Sequence, residues 1–291
     1  MRFSYAETMC DPAQYLPLAR AAEETGFDGY VLPDSIAYPE VSDSKYPYTP
    51  DGKREFLEDK PFIDPFSLIP AMAAVTSRIR FITSVVKLPI RHPVLVAKQA
   101  TSVAVMSDNR FVFGVGSSPW PEDYRICDQP WKARGRRMDE MLQIIRGLQT
   151  GDFFGFKGEF YDLERIKLCP VPTRPVPIVI GGHSEAALRR AAIYGDGWIH
   201  AGGDGDELAK CLERLKQLRQ EHGTADRDFE VHVISMDAYT VDGIKKLDEL
   251  GVTDCVVGFR WAYETDTMPM EDKLAAQRKY ADKVIAPYRA L

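Results

Sequence analysis

The stretch IVIGGHSEAALRRAA, residues 178–192, joins two different patterns. It opens with an apolar run that stops at Gly181 and Gly182, as a buried strand does where it reaches a turn. A pattern typical of a helix begins after Ser184. A strand that is apolar throughout is typical of a parallel sheet with helices on its faces. The stretch therefore predicts one β-α unit of an α/β protein.

Similar units fill the rest of the chain. Strands are predicted at Arg2–Glu7, Gly29–Leu32, Arg80–Val85, Phe111–Gly116, Val176–Ile180, Gly197–Ala201, Phe229–Met236 and Val252–Phe259. About eight β-α units predict a single (β/α)8 barrel of the TIM type over residues 1–291. Insertions are expected after the second strand and before the fifth. A doubly wound open sheet is the alternative, but it usually has fewer strands.

The bulk composition disfavours several classes of protein. The formal net charge of −6 disfavours nucleic-acid binding, which needs a basic surface to replace phosphate counterions. There is neither a run of roughly 20 apolar residues for a membrane span nor a signal peptide. The five cysteines and five histidines show no metal-ligand spacing, so we expect reduced thiols and no metal site. These features predict a cytoplasmic globular protein.

Chemistry in a TIM barrel is expected where the carboxyl ends of the strands meet at one rim. The segments that fall there are Glu7, Pro33–Tyr38, Ser84–Leu88, Gly116–Glu122, Gly181–Ser184, Ala201–Asp204, Met236–Ala238 and Phe259–Trp261. An aldolase or isomerase of this fold usually needs a lysine or a pair of carboxylates inside the barrel, and no strand clearly supplies an inward lysine. Such an enzyme stays an open alternative.

The glycines after the fifth strand are suited to binding phosphate. Gly181 and Gly182 would let a ligand approach the backbone, and the helix that follows offers free amides and a positive dipole end. Ser184 would cap that helix or contact the anion. The next strand ends in Ala201-Gly202-Gly203, a second turn that would direct amides to the same place. The alternative is a tight junction in which glycine serves only packing.

Several long stretches together resemble one family. They are LARAAEETGFDGYVLPDS (18–35), PFSLIPAMAAVTSRIRFITSVVKLP (65–89), RHPVLVAKQATSVAVMSDNRFVFGVG (91–116), ARGRRMDEMLQIIRGL (133–148) and VPIVIGGHSEAALRRAAIYGDGW (176–198). The chain is similar in these stretches to the bacterial luciferase-like superfamily of flavin- and F420-dependent oxidoreductases. The resemblance implies a TIM-like barrel, a small-molecule substrate and a homodimer. It also implies that the rim binds the deazaflavin F420 or, as the alternative, FMN.

The resemblance also implies a set of cofactor-binding residues. Those at the phosphate are Gly181, Gly182, His183, Ala201 and Gly202, and those at the ring are Asp34, Ser84, Val85, Gly116 and Ser117. In similar proteins the position of Ser84-Val85 carries a bulge with a non-prolyl cis peptide. An ordinary strand end is the alternative there.

Candidate catalytic residues are three carboxylates, Glu7, Asp34 and Glu122. A buried Glu7 would exchange a proton with the substrate, but an exposed or salt-bridged Glu7 is equally consistent with the sequence. Glu122 would supply a second carboxylate, or else a charge at the start of a helix. Family members that oxidise sugar phosphates carry a histidine and a carboxylate at the positions of Ser35 and Pro119. This difference disfavours a sugar-phosphate dehydrogenase.

The loop between Tyr38 and Pro61 is expected to cover the substrate. Tyr38 and Trp120 are the predicted residues of the substrate pocket, and Trp120 is otherwise a packed loop anchor. Tyr46 and Tyr48 would help to cover an apolar substrate. The cations expected to meet an anionic tail are Lys45, Lys53 and Arg54.

The resemblance implies F420-dependent hydride transfer to or from a small organic substrate, either apolar or carrying a carbonyl group. The protein would orient the ring, exclude water and place a proton donor. An FMNH2-dependent monooxygenase is the first alternative. A cofactor-binding protein without turnover is the second.

Overall fold

The chain closes into a barrel of parallel strands in the computed structural model, which describes residues 1–42, 44–46, 52–203 and 205–291. Asp204 of the predicted rim and Tyr48 of the predicted substrate loop lie outside the described residues. The strands are β1 Arg2–Ala6, β2 Gly29–Leu32, β3 Arg80–Thr83, β4 Val86–Lys87, β5 Phe111–Gly116, β8 Ile178–Gly181, β9 Gly197–His200, β10 Glu230–Ile234 and β11 Asp254–Val257. They pair in the order β3-β2-β1-β11-β10-β9-β8-β5-β4, and β3 also pairs with β5, which closes the ring. The predicted TIM barrel is confirmed.

Helices cover the outside of this ring. In the described part of the chain they are α1 Tyr15–Glu24, α2 Pro65–Ala73, α3 Pro93–Met106, α4 Pro121–Ile126, α5 Arg134–Leu148, α6 Glu185–Tyr194, α7 Gly205–Glu221, α8 Val241–Glu249, α9 Met270–Tyr280 and α10 Ala286–Arg289. A π-helical turn, Ala281–Ile285, joins the last two. None of these helices is long and apolar enough to cross a membrane.

The third barrel strand is interrupted, unlike the continuous strand expected from Arg80 to Val85. It runs as β3 and β4, and the peptide between Ser84 and Val85 is cis. The predicted non-prolyl cis bond is thereby confirmed. Because β3 and β4 form one interrupted strand, the nine segments make eight barrel strands.

Residues alternate along the strands between two apolar layers. The small inner layer fills the barrel and consists of Val31, Ile82, Val112, Val179, Ile199 and Val256. The large rings of Phe3, Tyr5 and Tyr30 belong to the outer layer, between strands and helices. The inner layer forms a solid core below the rim, so a ligand has room only above it.

Both predicted insertions are present. The first occupies residues 33–64 after β2 and contains a short 3-10 turn at Glu55–Leu57. The second contains an antiparallel hairpin, β6 Phe154–Lys157 and β7 Asp162–Ile166, which the sequence did not predict. The hairpin packs against α5 through Phe154, whose ring lies against Gly147.

Candidate active site

A cavity of about 390 Å³ lies at the carboxyl ends of the barrel strands. The predicted site residues that line it are Asp34, Ser84, Val85, Gly116, Ser117, Trp120, Gly181, Gly182 and Ala201. These residues follow five different strand segments and meet only because the barrel closes. Five other predicted residues do not line it, namely Glu7, Tyr38, Glu122, His183 and Gly202.

The floor of the cavity is the Val85 side chain, which two glycines accommodate. A Cβ added at Gly116 would lie 2.8 Å from Cγ2 of Val85, and one at Gly181 would lie 2.8 Å from Cγ1. The space beside Gly181 is therefore filled by Val85. The missing side chain of Gly181 thus makes way for Val85, which matches the packing alternative, while a role of its backbone at a phosphate stays a prediction.

Gly182 and Gly202 have a different role, because each adopts a positive φ, +120° and +97° respectively. A side chain is strained in that conformation, so glycine allows both turns. The Ser184 side chain accepts a hydrogen bond from the Ala187 amide, which makes it the N-cap of α6. Ser184 itself is exposed, so the first turn of α6 is accessible to an anion.

His183 occupies the space between the two glycine turns. Its Nε2 accepts a hydrogen bond from the Ala201 amide (3.1 Å), and its Nδ1 lies 3.0 Å from Oε1 of Glu207. The sequence predicts that the Ala201 amide points at the phosphate. This prediction is wrong, because that amide already donates a hydrogen bond to His183. A carboxylate beside the turn also opposes an anion there.

The ring of His200 stacks on that of His183, with centroids 4.4 Å apart and planes 7° apart. His200 ends β9, where the sequence predicts a core or rim histidine, and it is 1% exposed. Burial, reinforced by the neighbouring His183, lowers the pKa of His200 to about 4. Although both histidines and Glu207 are close enough to share a metal ion, the lone pairs of parallel rings do not converge on one point.

Asp34 is buried at the cavity wall and is already paired. Its Oδ2 accepts from the Lys87 amide and its Oδ1 from Nη2 of Arg91, both at 2.9 Å. The arginine neutralises the carboxylate, which leaves Asp34 as an acceptor with one lone pair on each oxygen for a ligand.

Lys87 was missed from the sequence, because no inward lysine was expected. It lines the cavity at the end of β4, and its ammonium group lies 2.8 Å from Oδ2 of Asp123. The Ser118 hydroxyl also donates to that oxygen, at 2.6 Å. The strand break at Ser84-Val85 explains the miss, since an interruption makes the alternation of inward and outward residues unreliable beyond it.

Glu7 lies on the outer side of β1, away from the cavity. Nε of Arg260 donates to its Oε1 (2.7 Å), the Tyr5 hydroxyl donates to its Oε2 (3.0 Å), and Lys273 is 3.8 Å away. Of the two roles expected for Glu7, the structure shows the salt-bridged one. A residue held in this way cannot reach a substrate in the cavity.

Glu122 is buried beneath the loop of the first insertion. The hydroxyls of Ser42 and Ser44 donate to its two oxygens at 3.1 and 2.7 Å, and Arg54 lies 3.7 Å away. Burial alone would raise the pKa of Glu122, but these hydrogen bonds and the charge of Arg54 hold it below its ordinary value. An ionised carboxylate that faces the loop is a poor general acid. The alternative expected for Glu122, a charge at the start of a helix, is confirmed in the first turn of α4, and its hydrogen bonds to Ser42 and Ser44 also make it a latch that holds the loop.

The substrate wall differs in part from the prediction. Trp120 lines the cavity and stacks on Tyr46, with ring centroids 5.0 Å apart, whereas Tyr38 does not line it. The cavity is also lined by two rings that the sequence did not single out, Phe56 and Tyr263. The centroids of these two rings are 4.7 Å apart. Tyr263 follows the last strand, so only the closed barrel brings it to Trp120.

The chain matches a family model described as luciferase-like monooxygenase over residues 3–263. It therefore belongs to the luciferase-like family, whose members are oxidoreductases. An uncharacterised protein of Mycobacterium tuberculosis is 56% identical over 288 residues, which cover 98% of this chain and 99% of that protein.

Two further likenesses involve F420 by name. An F420-dependent glucose-6-phosphate dehydrogenase of Gordonia bronchialis is 31% identical over 238 residues, which cover 78% of this chain and 64% of the dehydrogenase. The solved structure of the coenzyme F420-dependent tetrahydromethanopterin reductase from Methanopyrus kandleri has a TM-score of 0.75 at 14% identity and covers 99% of both chains. At that identity the second likeness shows the shared fold alone.

Proposed function

We propose that this protein is an F420-dependent oxidoreductase that transfers hydride to or from a small organic substrate, either apolar or carrying a carbonyl group. The observation that carries the proposal is a rim cavity lined both by the apolar side chain of Val85 and by Gly182, whose turn leads to the Ser184 cap of α6. A cofactor with a flat ring and a phosphate needs both features side by side. The dehydrogenase of Gordonia bronchialis supports F420 over FMN, which stays the alternative.

Each group of residues would have its own task. The first amides of α6 and the turns at Gly182 and Gly202 would hold the phosphate, despite the carboxylate of Glu207 nearby. Val85 would support the ring from below, and Asp34 would accept a hydrogen bond from the polar edge of the ring. When bound, F420 supplies a carbon centre that gives or takes a hydride. The loop over Trp120 would exclude water from that step.

Lys87 would hold the proton that the reaction needs. A carbonyl carbon that receives a hydride leaves negative charge on its oxygen, and Nζ of Lys87 would donate a proton to that oxygen. Asp123 and Ser118 would keep the ammonium group in place.

Titrations of the purified protein with F420 and with FMN, followed by ring fluorescence, test the proposal. We expect saturable binding of F420 and no rapid oxygen consumption when the reduced cofactor is supplied. Tight FMN binding with rapid oxygen consumption would instead identify a monooxygenase. Absence of binding for both cofactors would refute the oxidoreductase proposal.

The predicted homodimer and cytoplasmic location stay predictions. Light scattering of the purified protein would determine the oligomeric state.

A further inference from the structure

Four aromatic side chains, Tyr46, Phe56, Trp120 and Tyr263, line one side of the cavity, and we refer to them as the aromatic wall. Tyr46 and Trp120 are stacked with an angle of 8° between their planes, and Phe56 meets Tyr263 edge to face at 66°. The hydroxyl oxygens of Tyr46 and Tyr263 lie 3.4 Å apart. The wall combines the loops after β2, β5 and β11 into a single surface.

Three rings of the wall still have surface to offer a ligand. Trp120 is only 4% exposed, because Tyr46 stacks on it and the guanidinium group of Arg54 lies 4.1 Å from its ring centroid. Tyr46, Phe56 and Tyr263 are half-buried. Aromatic rings pair with other rings edge to face or offset-stacked, and a flat conjugated molecule satisfies that geometry.

The charged residues of the cavity are already paired. Among the described lining residues, the acidic one is Asp34 and the basic one is Lys87. Arg91 lies 2.9 Å from Asp34, and Asp123 lies 2.8 Å from Lys87. The described cations of the loop, Lys45, Lys53 and Arg54, do not line the cavity. A charged substrate would lose its hydration there without gaining an uncommitted counter-charge.

We infer that the substrate is an uncharged, flat, conjugated compound whose ring system packs against the aromatic wall. This inference rests on the proposed function and narrows its substrate class. It disfavours sugar phosphates, because the described lining has no unpaired cation and the amides near α6 are assigned to the phosphate of the cofactor.

Calorimetric titration of the cofactor-free protein with three probe ketones tests the inference. Fluorenone is flat and neutral, its carboxylate derivative is flat and anionic, and dicyclohexyl ketone is neutral but not flat. We expect fluorenone to bind at least about tenfold more tightly than either of the others. Equal or tighter binding of the carboxylate derivative would refute the inferred neutrality, and equal binding of dicyclohexyl ketone would refute the stacking.

Single substitutions in the wall locate the binding site. Phe56→Leu and Tyr263→Leu should each weaken fluorenone binding by about threefold to tenfold, the worth of one aromatic pair. Phe153→Leu is the matched control, because Phe153 is 58% exposed just before the hairpin and does not line the cavity. Melting temperatures would establish that each variant folds. If the control weakened binding as much as the wall variants, fluorenone would bind elsewhere and the inference would fail.

Repeating the titration with F420 bound separates this inference from the proposed function. If the two ligands compete, the wall belongs to the cofactor and the inference is overturned while F420 binding stands. If F420 does not bind, the proposed function fails, and the probe preferences of the empty cavity still decide the inference. We expect both ligands to bind together.

Discussion

The two ends of the barrel use charged residues in opposite ways. At the amino ends of the strands, charged side chains from four strands form a lower-end cluster, consisting of Arg2, Arg80, Glu230, His232 and Asp254. At the rim, ion pairs lie around a cavity with an apolar floor and an aromatic side. The charged residues of the lower-end cluster join neighbouring strands to one another, whereas the ion pairs at the rim surround a space that a ligand can enter. This difference is expected of a TIM barrel, in which one end serves stability and the other chemistry.

Removing a carboxylate from the lower-end cluster should produce the largest effect on stability. Asp254 is 1% exposed and accepts from both Nε and Nη2 of Arg2, at 2.9 and 2.7 Å. Asp254→Ala should lower the free energy of unfolding by about 3 kcal/mol, because it leaves Arg2 and Arg80, both partly buried, to share the carboxylate of Glu230. Urea unfolding measures this change.

The matched control is Asp162→Ala, which removes an ion pair with Lys157 whose two side chains are 75% and 86% exposed. That pair should contribute less than about 1 kcal/mol. Cofactor binding by the folded Asp254 variant should be unchanged. Weaker binding would show that the two ends of the barrel are not independent.

The two ends should also lose stability in separate pH ranges. His200 at the rim has its pKa lowered to about 4, so the unfolded chain binds a proton there before the folded chain does. Stability from a neutral His200 is therefore lost as the pH falls from about 6.5 to about 4, by about 2–3 kcal/mol. Urea unfolding at several pH values should show this slope, and His200→Phe should remove it.

The lower-end cluster should respond at more acidic pH. Burial alone would raise the pKa of Glu230 and of Asp254, but His232 and the adjacent arginines hold both below their ordinary values. Carboxylates with lowered pKa values stabilise the fold above the unfolded pKa, about 4, and that contribution is lost as the pH falls further. A slope that persists between pH 6.5 and 4 in His200→Phe would contradict the assignment of that range to the rim.

The sequence predicted the barrel well because each strand and helix is signalled locally. Apolar runs and three-four spacing identify β-α units wherever they occur, and eight such units leave few other folds. The hairpin β6-β7 was missed because its strands are short and the residues that pack against the main core are only partly buried, namely Phe154, Phe156, Tyr161, Leu163 and Ile166.

The site was harder to predict, because partners distant in sequence decide what each side chain does. Glu7 and Glu122 were plausible acids until Arg260 and the serines of the first insertion were found to bind them. Lys87 lies beyond an interruption in its strand, and Tyr263 follows a strand more than 200 residues away from Tyr46 in the chain. A single sequence does not show which of its distant residues meet.

At the rim, Lys87→Met tests which group supplies the proton. The variant should turn over substrate about a hundredfold more slowly, the usual contribution of a general acid, while binding F420 with unchanged affinity. Lys157→Met is the control, since Lys157 is exposed on the hairpin. A fall in rate without any change in the pH profile would assign Lys87 a positioning role instead.

Ser184 offers a cleaner test of the phosphate site than either glycine, because any side chain at Gly182 or Gly202 is strained by the backbone. Both Asp and Asn cap helices well, so Ser184→Asp and Ser184→Asn should fold alike. The added negative charge should weaken binding of F420 by about tenfold in the first variant and little in the second. Equal affinities measured by ring fluorescence would place the phosphate away from α6.

Glu122→Gln should have the smallest effect on binding and turnover among these variants. The variant tests whether Glu122 holds the loop or acts as a catalytic acid. A glutamine can still accept from Ser42 and Ser44 but loses its attraction for Arg54, so the loop over Trp120 should be held less tightly. We expect fluorenone binding to weaken by less than about threefold and turnover to fall by less than about tenfold, since no proton passes through a side chain that faces the loop. Trypsin cleavage near Arg54 should become faster, by less than about threefold, because the loop is held less tightly. A hundredfold fall in turnover with an intact loop would return Glu122 to the reaction, and the rim would then contain a second proton donor besides Lys87.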